Sequence, residues 1–592
     1  MQHRDTKIAI LLWLIALEGY ICFFRAHFLC LEMESCFIYL PSYFFSFFDT
    51  PGGIARYLSN FFIQFYYLPY FVEIIQILGA SLWLFLFYLL FRKWKIPFRL
   101  IFWILFPIVL TLWMFFNVSL KFTPDFVVGS LIALSVLYGY YQVRSSILRI
   151  GLYFPIGIGL YLLVGIPSIL WFIVGALVWE FIPNMKEKRS WKTAISVFLF
   201  TFFLVVSPYY IGPRFFLCDV SKAYQISFFT TWKHRGVSSD WYLYRTVKQV
   251  QYGIAKNDFS KTMALCDRFW EKSEALSLKE KPQGLSVGEQ YFREWLSAYT
   301  KLSLWHTRTL NNRFLSYYPI PGMGALFPNL SSSLPFYNTL YMDFFFEAGA
   351  VNAARFQGTN LIESNGFQSG IMEKMVLCNI ITEQYALAEK YLYYLNHTLF
   401  HRKFAQQWEQ WNTVFASSKN SFIVSKRAEG YTDYFDQPLS YSIDDYIQIL
   451  SQQNKKNILA LDYAILCDLL AKENEKILKN KVPLFLALNK KPLPAYLQEA
   501  ILISRTIGMA NIQDTLSCEQ KKQKENIDNY PINIEILNRY KQFMQAINLY
   551  QMGQMSPTEL TKQFGDTYAF HFFFGQIIFP NENKSASSAL SH

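Results

Sequence analysis

The sequence predicts an all-α chain in two halves. A bundle of about seven membrane-spanning helices occupies residues 1–211, and a stack of paired helices occupies 212–580 outside the cytoplasm. Three observations predict this. Long apolar stretches alternate with short polar gaps before residue 212, and nearly all the cations of that half fall in every second gap. After residue 211 the apolar pattern changes to that of amphipathic helices joined by short polar breaks.

A crossing needs about 20 predominantly apolar residues to traverse a hydrocarbon core of roughly 30 Å. Ile8–Phe24, Leu68–Phe91, Phe98–Val118, Phe126–Val143, Ile147–Gly165, Ile166–Ile182 and Thr193–Ile211 meet that demand. The fifth and sixth form one nearly unbroken apolar run. As a single helix it would reach about 54 Å at 1.5 Å per residue. Gly165-Ile166-Pro167-Ser168 is a breaker near its middle, so a tight hairpin is expected. Glu18-Gly19-Tyr20-Ile21-Cys22 lacks a small-residue cleavage pattern, so the first span reads as a retained anchor.

With the N-terminus inside, the inner gaps hold Arg4, Lys7, Arg92, Lys93, Lys95, Arg99, Arg144, Arg149, Lys186, Lys188, Arg189 and Lys192. The outer gaps hold Arg25, Arg56 and Lys121. By the positive-inside rule this places the N-terminus in the cytoplasm and everything after Cys218 outside it. The expected location is a bacterial inner membrane, with the second half in the periplasm. Half of the formal net charge of +12 then flanks the membrane, and the rest is too dilute for a nucleic-acid groove.

Acids inside spans are rare and often functional. Glu18 lies in the first span and Glu73 near the start of the second. Each has a structural reading, as a partner of a neighbouring helix or an interfacial residue. A proton relay or transport role would require both to face one cavity. The first outer loop, residues 25–67, is long and aromatic. Asp49-Thr50-Pro51-Gly52-Gly53 breaks it, and apolar residues at 54, 57, 58, 61 and 62 follow at helical spacing, which predicts a helix lying in the outer interface. Glu32, Glu34 and Asp49 are candidate catalytic acids there. A carboxylate beside the membrane can act as general base or hold a divalent cation, as in polytopic glycosyltransferases that use lipid-linked sugars.

In the second half, Tyr242–Ala255 pairs with Phe259–Ser273, Phe336–Ala348 with Val351–Glu363, and Ile371–Thr382 with Tyr385–Leu395. The last two pairs align at an offset of 34 residues, which brings Gly349 opposite Glu383 and Ala354 opposite Ala388. Helix–turn–helix units at that period are those of degenerate tetratricopeptide repeats. Further helices are expected over 443–453, 458–470, 496–506, 534–549 and 558–564, with a disordered tail over 581–592. The eight cysteines form no C-x-x-C pair and read mostly as buried thiols, although Cys30 and Cys36 are near enough in sequence to bridge. His397 and His401 are four apart and on a helix would share a face, but Thr398 stands where a zinc protease needs Glu, so no metal is assigned. No phosphate-binding loop, dinucleotide fingerprint or serine-hydrolase motif is present.

Two segments carry a resemblance. Pro51-Gly52-Gly53-Ile54-Ala55-Arg56-Tyr57-Leu58 forms one, with Phe61, Gln64, Phe65, Tyr66 and Tyr67 following. Tyr385-Ala386-Leu387-Ala388-Glu389-Lys390-Tyr391-Leu392 forms the other, with 397–403 following. They resemble an uncharacterised bacterial family of polytopic proteins with a helical-repeat C-terminal half, known only as a domain of unknown function. That family commonly has a Glu-Gln pair in the first loop, where this chain has Glu32-Met33-Glu34. The resemblance implies the architecture and no activity. The expected function is a membrane-anchored scaffold that binds an envelope protein or peptide, with membrane lipids as its other partner, no nucleic acid and no cofactor. The alternative is a glycosyltransferase-like enzyme using the first-loop acids with a divalent cation, and a transporter component comes third.

Overall fold

The structure is a computed structural model describing residues 2–92, 105–114, 124–181, 191–216, 218–225, 241–277, 287–317, 335–430, 443–454, 456–488, 492–507 and 530–575. The ends of the third expected span, the Gly/Pro/Ser-rich stretch after Tyr317, Cys518 and the tail from Asn581 lie outside the described residues. Among the described residues every regular element is helical, with no strand.

Among the described residues, five helices are long and apolar enough to cross a membrane. They are α1 (Gln2–Met33), α4 (Phe71–Arg92), α6 (Pro124–Gln142), α7 (Ser146–Phe181) and α8 (Trp191–Phe215). A shorter apolar helix, α5 (Leu105–Met114), lies within the third expected span. Between α1 and α4 the chain forms α2 (Pro41–Ser46) and α3 (Gly53–Ile63).

The hairpin expected within 147–182 is present. Gly165 sits at φ +76° and ψ 173°, a conformation that breaks the helix and that only glycine adopts readily. Arg149 Nε lies 3.0 Å from Glu180 Oε1. In a straight helix those residues would stand about 46 Å apart. The two arms of α7 therefore run antiparallel, and Tyr153 stacks on Phe172 between them.

Two expectations for the first loop change. The first helix continues past Phe24, where the backbone kinks (φ −104°, ψ 15°), to Met33. Residues 25–33 are thus about two and a half more helical turns rather than loop. The helix expected at 54–62 is α3, but the face it buries is Gly53, Ala55, Ser59 and Ile63. Small residues let α3 lie close against α6 and α7. Its aromatic side, Tyr57 and Phe61, packs instead on the loop's own rings: Phe37 contacts both, and Tyr43, Phe44 and Phe47 contact Tyr57.

The loop is pinned to the bundle at its Pro-Gly-Gly turn. Gly52 (φ +79°) donates its N–H to the Leu162 carbonyl at 3.2 Å. Gln225, just beyond α8, donates to the Pro51 carbonyl at 3.2 Å and accepts from the Ile166 N–H at 3.0 Å. A Cβ on Gly52 would meet the Gly165 nitrogen at 3.1 Å, and one on Gly53 would overlap the Phe47 carbonyl oxygen at 1.7 Å. Both glycines are required by close approach. Arg56 donates to Thr50 Oγ1 across the same turn.

The second half consists of helices paired by one recurring corner. Asn257, Arg308, Gly349, Glu383, Lys472 and Gly553 all have φ between +57° and +77°. At each, the next residue's N–H donates to the carbonyl five residues back, from Gln384 to Asn379 at 2.7 Å to Glu473 to Asp468 at 3.0 Å. This is the Schellman closure of a helix C-terminus. The 34-residue offset joins two equivalent corners, Gly349 and Glu383, while the other corners are unequally spaced. The corners join Trp241–Ala255 to Phe259–Ser277, Pro335–Glu347 to Val351–Asn365, and Ser369–Ile381 to Tyr385–Asn396.

Candidate functional site

The extension of α1 beyond Phe24 is the central feature of the junction between the halves. It carries His27 and Cys30 on one face and Glu32 on another, with Glu34 just past its end. Opposite the first face lies Trp241–Ala255, whose Tyr244, Lys248 and Gln251 fall at i, i+4 and i+7 and so share one stripe. Tyr244 Oη is 2.7 Å from His27 Nδ1, and the Cys30 thiol donates to the Lys248 carbonyl at 3.5 Å. Lys248 Nζ donates to Glu34 Oε1 at 2.7 Å and to Gln251 Oε1 at 3.2 Å, and Gln251 Nε2 donates to the same Glu34 oxygen at 3.2 Å. Burial opposes the charge on Lys248, but Glu34, Cys30 and Tyr244 together outweigh it and raise the Lys248 pKa.

Glu32 points elsewhere. It is buried, and its Oε1 accepts from His401 Nε2 at 2.7 Å, while His401 Nδ1 donates to Glu373 at 2.8 Å. Burial alone would lower the His401 pKa. The hydrogen bonds and charges of the two carboxylates overcome it and take the pKa up to about 9. With both ring nitrogens donating, the group is an imidazolium and offers no lone pair to a metal. Backbone bonds reinforce the clamp. Ser369 N–H donates to the Ser35 carbonyl at 3.0 Å, Ser369 Oγ to the Glu32 carbonyl at 3.1 Å, and Tyr39 N–H to the His397 carbonyl at 2.8 Å. A narrow cleft opens here, lined by Glu32, Cys36, Gln64, Thr398, Phe400 and His401.

The three first-loop acids therefore do not converge. Glu32 faces His401, Glu34 faces Lys248, and Asp49 ends a short 3-10 turn and is exposed. Glu18 is exposed on α1 and accepts from the Cys22 thiol at 3.3 Å, whereas Glu73 pairs with Arg25 at 3.4 Å. Pro51, Gly52, Gly53 and Arg56 build the turn that seats the loop on the bundle. Cys30 and Cys36 are separate free thiols, so the possible bridge does not form. Among the described residues no group of three or more His, Cys, Asp or Glu side chains is placed to hold a metal ion.

Lys248, Gln251, Glu373 and His401 are the junction residues that sequence reasoning did not assign. The Tyr244/Lys248/Gln251 stripe is buried among apolar neighbours and was a usable signal, because a polar line facing a core needs a polar partner. His401 drew notice only as half of a histidine pair, and nothing local ties it to a glutamate on the first helix.

Searches of curated proteins and of solved structures return no match to this chain. One family model matches residues 3–575, nearly the whole chain and both sides of this junction. The chain is therefore a member of the family of unknown function DUF6057.

Proposed function

We propose that this is a seven-span protein of a bacterial inner membrane, with its N-terminus in the cytoplasm. Its second half is a tetratricopeptide-like scaffold held in the periplasm to bind an envelope protein or peptide. The recurring left-handed corner carries this reading. It stacks amphipathic helices pairwise, the arrangement by which solenoids build extended binding surfaces. The junction supports it further, because Glu32 and Glu34 are engaged in fastening that half to α1. Affinity capture of the full-length protein from native membranes tests the reading. A defined partner should be retained by Glu32→Ala, Glu34→Ala and Asp49→Ala variants tested individually. Cysteines placed at positions 190 and 240 test the topology, and labelling of 240 from the cytoplasm would refute it.

A second reading starts from the Glu32–His401 pair, beside a cleft with room for about one water. Glu32 and His401 stand side by side where the first loop meets the outer half, and a carboxylate at such a place suits general-base chemistry on a lipid-linked sugar. A divalent cation would then bind through Glu32 alone among the three acids, since Glu34 and Asp49 lie apart from it. Loss of envelope glycosylation in Glu32→Gln, with partner capture intact, would favour this reading over the scaffold.

A further inference from the structure

Tyr67 and Tyr70 flank the start of α4, and Tyr70 is 69% exposed. Aromatic rings at the mouth of a span mark the headgroup level of a bilayer. Phe400, from the turn between Tyr385–Asn396 and Arg402–Glu409, stacks on Tyr67 with centroids 5.1 Å apart and an interplanar angle of 16°. It also meets Phe65 edge-on at 5.9 Å. That turn of the outer half thus stands level with the mouth of α4. Leu399 at its tip is 51% exposed. Arg402 and Lys403 follow it and are exposed, and exposed Lys256 lies 5.9 Å over the Tyr67 ring. The nearby acids are engaged, Glu32 and Glu373 by His401 and Glu73 by Arg25. The rim combines an apolar tip with three cations.

We propose that residues 397–403 form a membrane-docking turn. Leu399 enters the outer-leaflet headgroup region beside the mouth of α4, and Arg402, Lys403 and Lys256 engage the phosphates of anionic lipids. The outer half would then touch the membrane through its own surface as well as through α1. The inference rests on α4 crossing the bilayer, so the test carries a control for that.

Full-length protein with Cys22, Cys218 and Cys518 replaced by Ser receives one added cysteine at Leu399, Leu78 or Val424, labelled with bimane, in nanodiscs containing phosphatidylglycerol. Leu78 is an exposed residue of α4. Val424 is an exposed residue of the Ser421–Glu429 helix, whose Arg427 binds the far end of Ser369–Ile381. Brominated lipid should quench the labels at 78 and 399 at least two-fold more than the label at 424. Arg402→Glu with Lys403→Glu, or exchange of phosphatidylglycerol for phosphatidylcholine, should roughly halve quenching at 399 and leave 78 unchanged. No quenching at 78 would refute the membrane placement of α4 itself. Quenching at 78 but not at 399, with 399 open to aqueous iodide, would overturn the docking turn. Protection of 399 from both quenchers would also overturn it, since a second protein copy would then cover the turn. Quenching at 399 that ignores both charge changes would overturn the role of the three cations.

Discussion

Replacing His401 by Gln should remove a pH-dependent fastening between α1 and the second half. The imidazole side chain is 12% exposed and lies between Glu32 at 2.7 Å and Glu373 at 2.8 Å. Its pKa rises from 6.5 to about 9 in the folded protein. A group whose folded pKa lies above its unfolded one stabilises fully below the unfolded value and loses that contribution as pH rises through the folded value. The shift corresponds to roughly 3 kcal/mol below about pH 6, about 2 kcal/mol near pH 7.5, and almost nothing by about pH 10. Thermal melting of detergent-solubilised full-length protein reads the effect. Wild type should exceed His401→Gln most at pH 6.5, and the gap should close by pH 10. Hydrogen exchange at the Ser369 and Tyr39 amides, which bond across the same junction, should accelerate over the same range. A difference that stays constant from pH 6.5 to 10, or widens with pH, would refute the charged clamp.

The second clamp should respond asymmetrically. Glu34→Gln leaves buried Lys248 without its counter-ion and should cost about 3 kcal/mol or more, while Lys248→Met leaves a half-exposed Glu34 and should cost less; equal losses in paired melts would contradict the assignment. Lys301 is fully buried, donates to Ser297, and is lowered by burial to a pKa of about 7. The unfolded chain holds that proton to higher pH, so the penalty is greatest below pH 7 and vanishes above about pH 10.5. Lys301→Met should therefore stabilise by up to about 4 kcal/mol near pH 7, with the gain shrinking as pH rises, and a pH-independent gain would show that Lys301 keeps its charge. Gly53→Ala should prevent the loop from seating on the bundle, and Gly52→Ala should destabilise by about 1–2 kcal/mol from left-handed strain. Gly139→Ala, with open space around its Cβ position, should be tolerated, and similar yields of folded protein from all three would refute the role given to the turn.

Much of the architecture was legible locally. Length and apolarity located the long apolar helices, and the breaker at Gly165 foretold a fold-back that the Arg149–Glu180 pair displays. The helices expected in the second half begin and end within a few residues of where their amphipathic periods placed them, whereas Val287–His306, Arg402–Glu409, Ser421–Glu429 and Tyr568–Phe574 had no counterpart among the expected helices. The corners were harder to read, because Asn257, Arg308, Glu383 and Lys472 carry no glycine signal for a left-handed turn. The end of α1 was missed for a related reason. Its turns beyond Phe24 lack the apolarity of a span, and what keeps them helical is packing on Trp241–Ala255, two hundred residues away.

The sequence by itself determined the all-α class, the long apolar helices and the helix pairs, since each follows from hydrophobic period and length within a short window. Tertiary structure alone decided what the first-loop acids do. Glu32 and Glu34, two residues apart, turn to opposite partners, His401 and Lys248, because a helix end sends neighbouring side chains in different directions. Which partner meets which face depends on how two distant helices dock, and no local pattern encodes that.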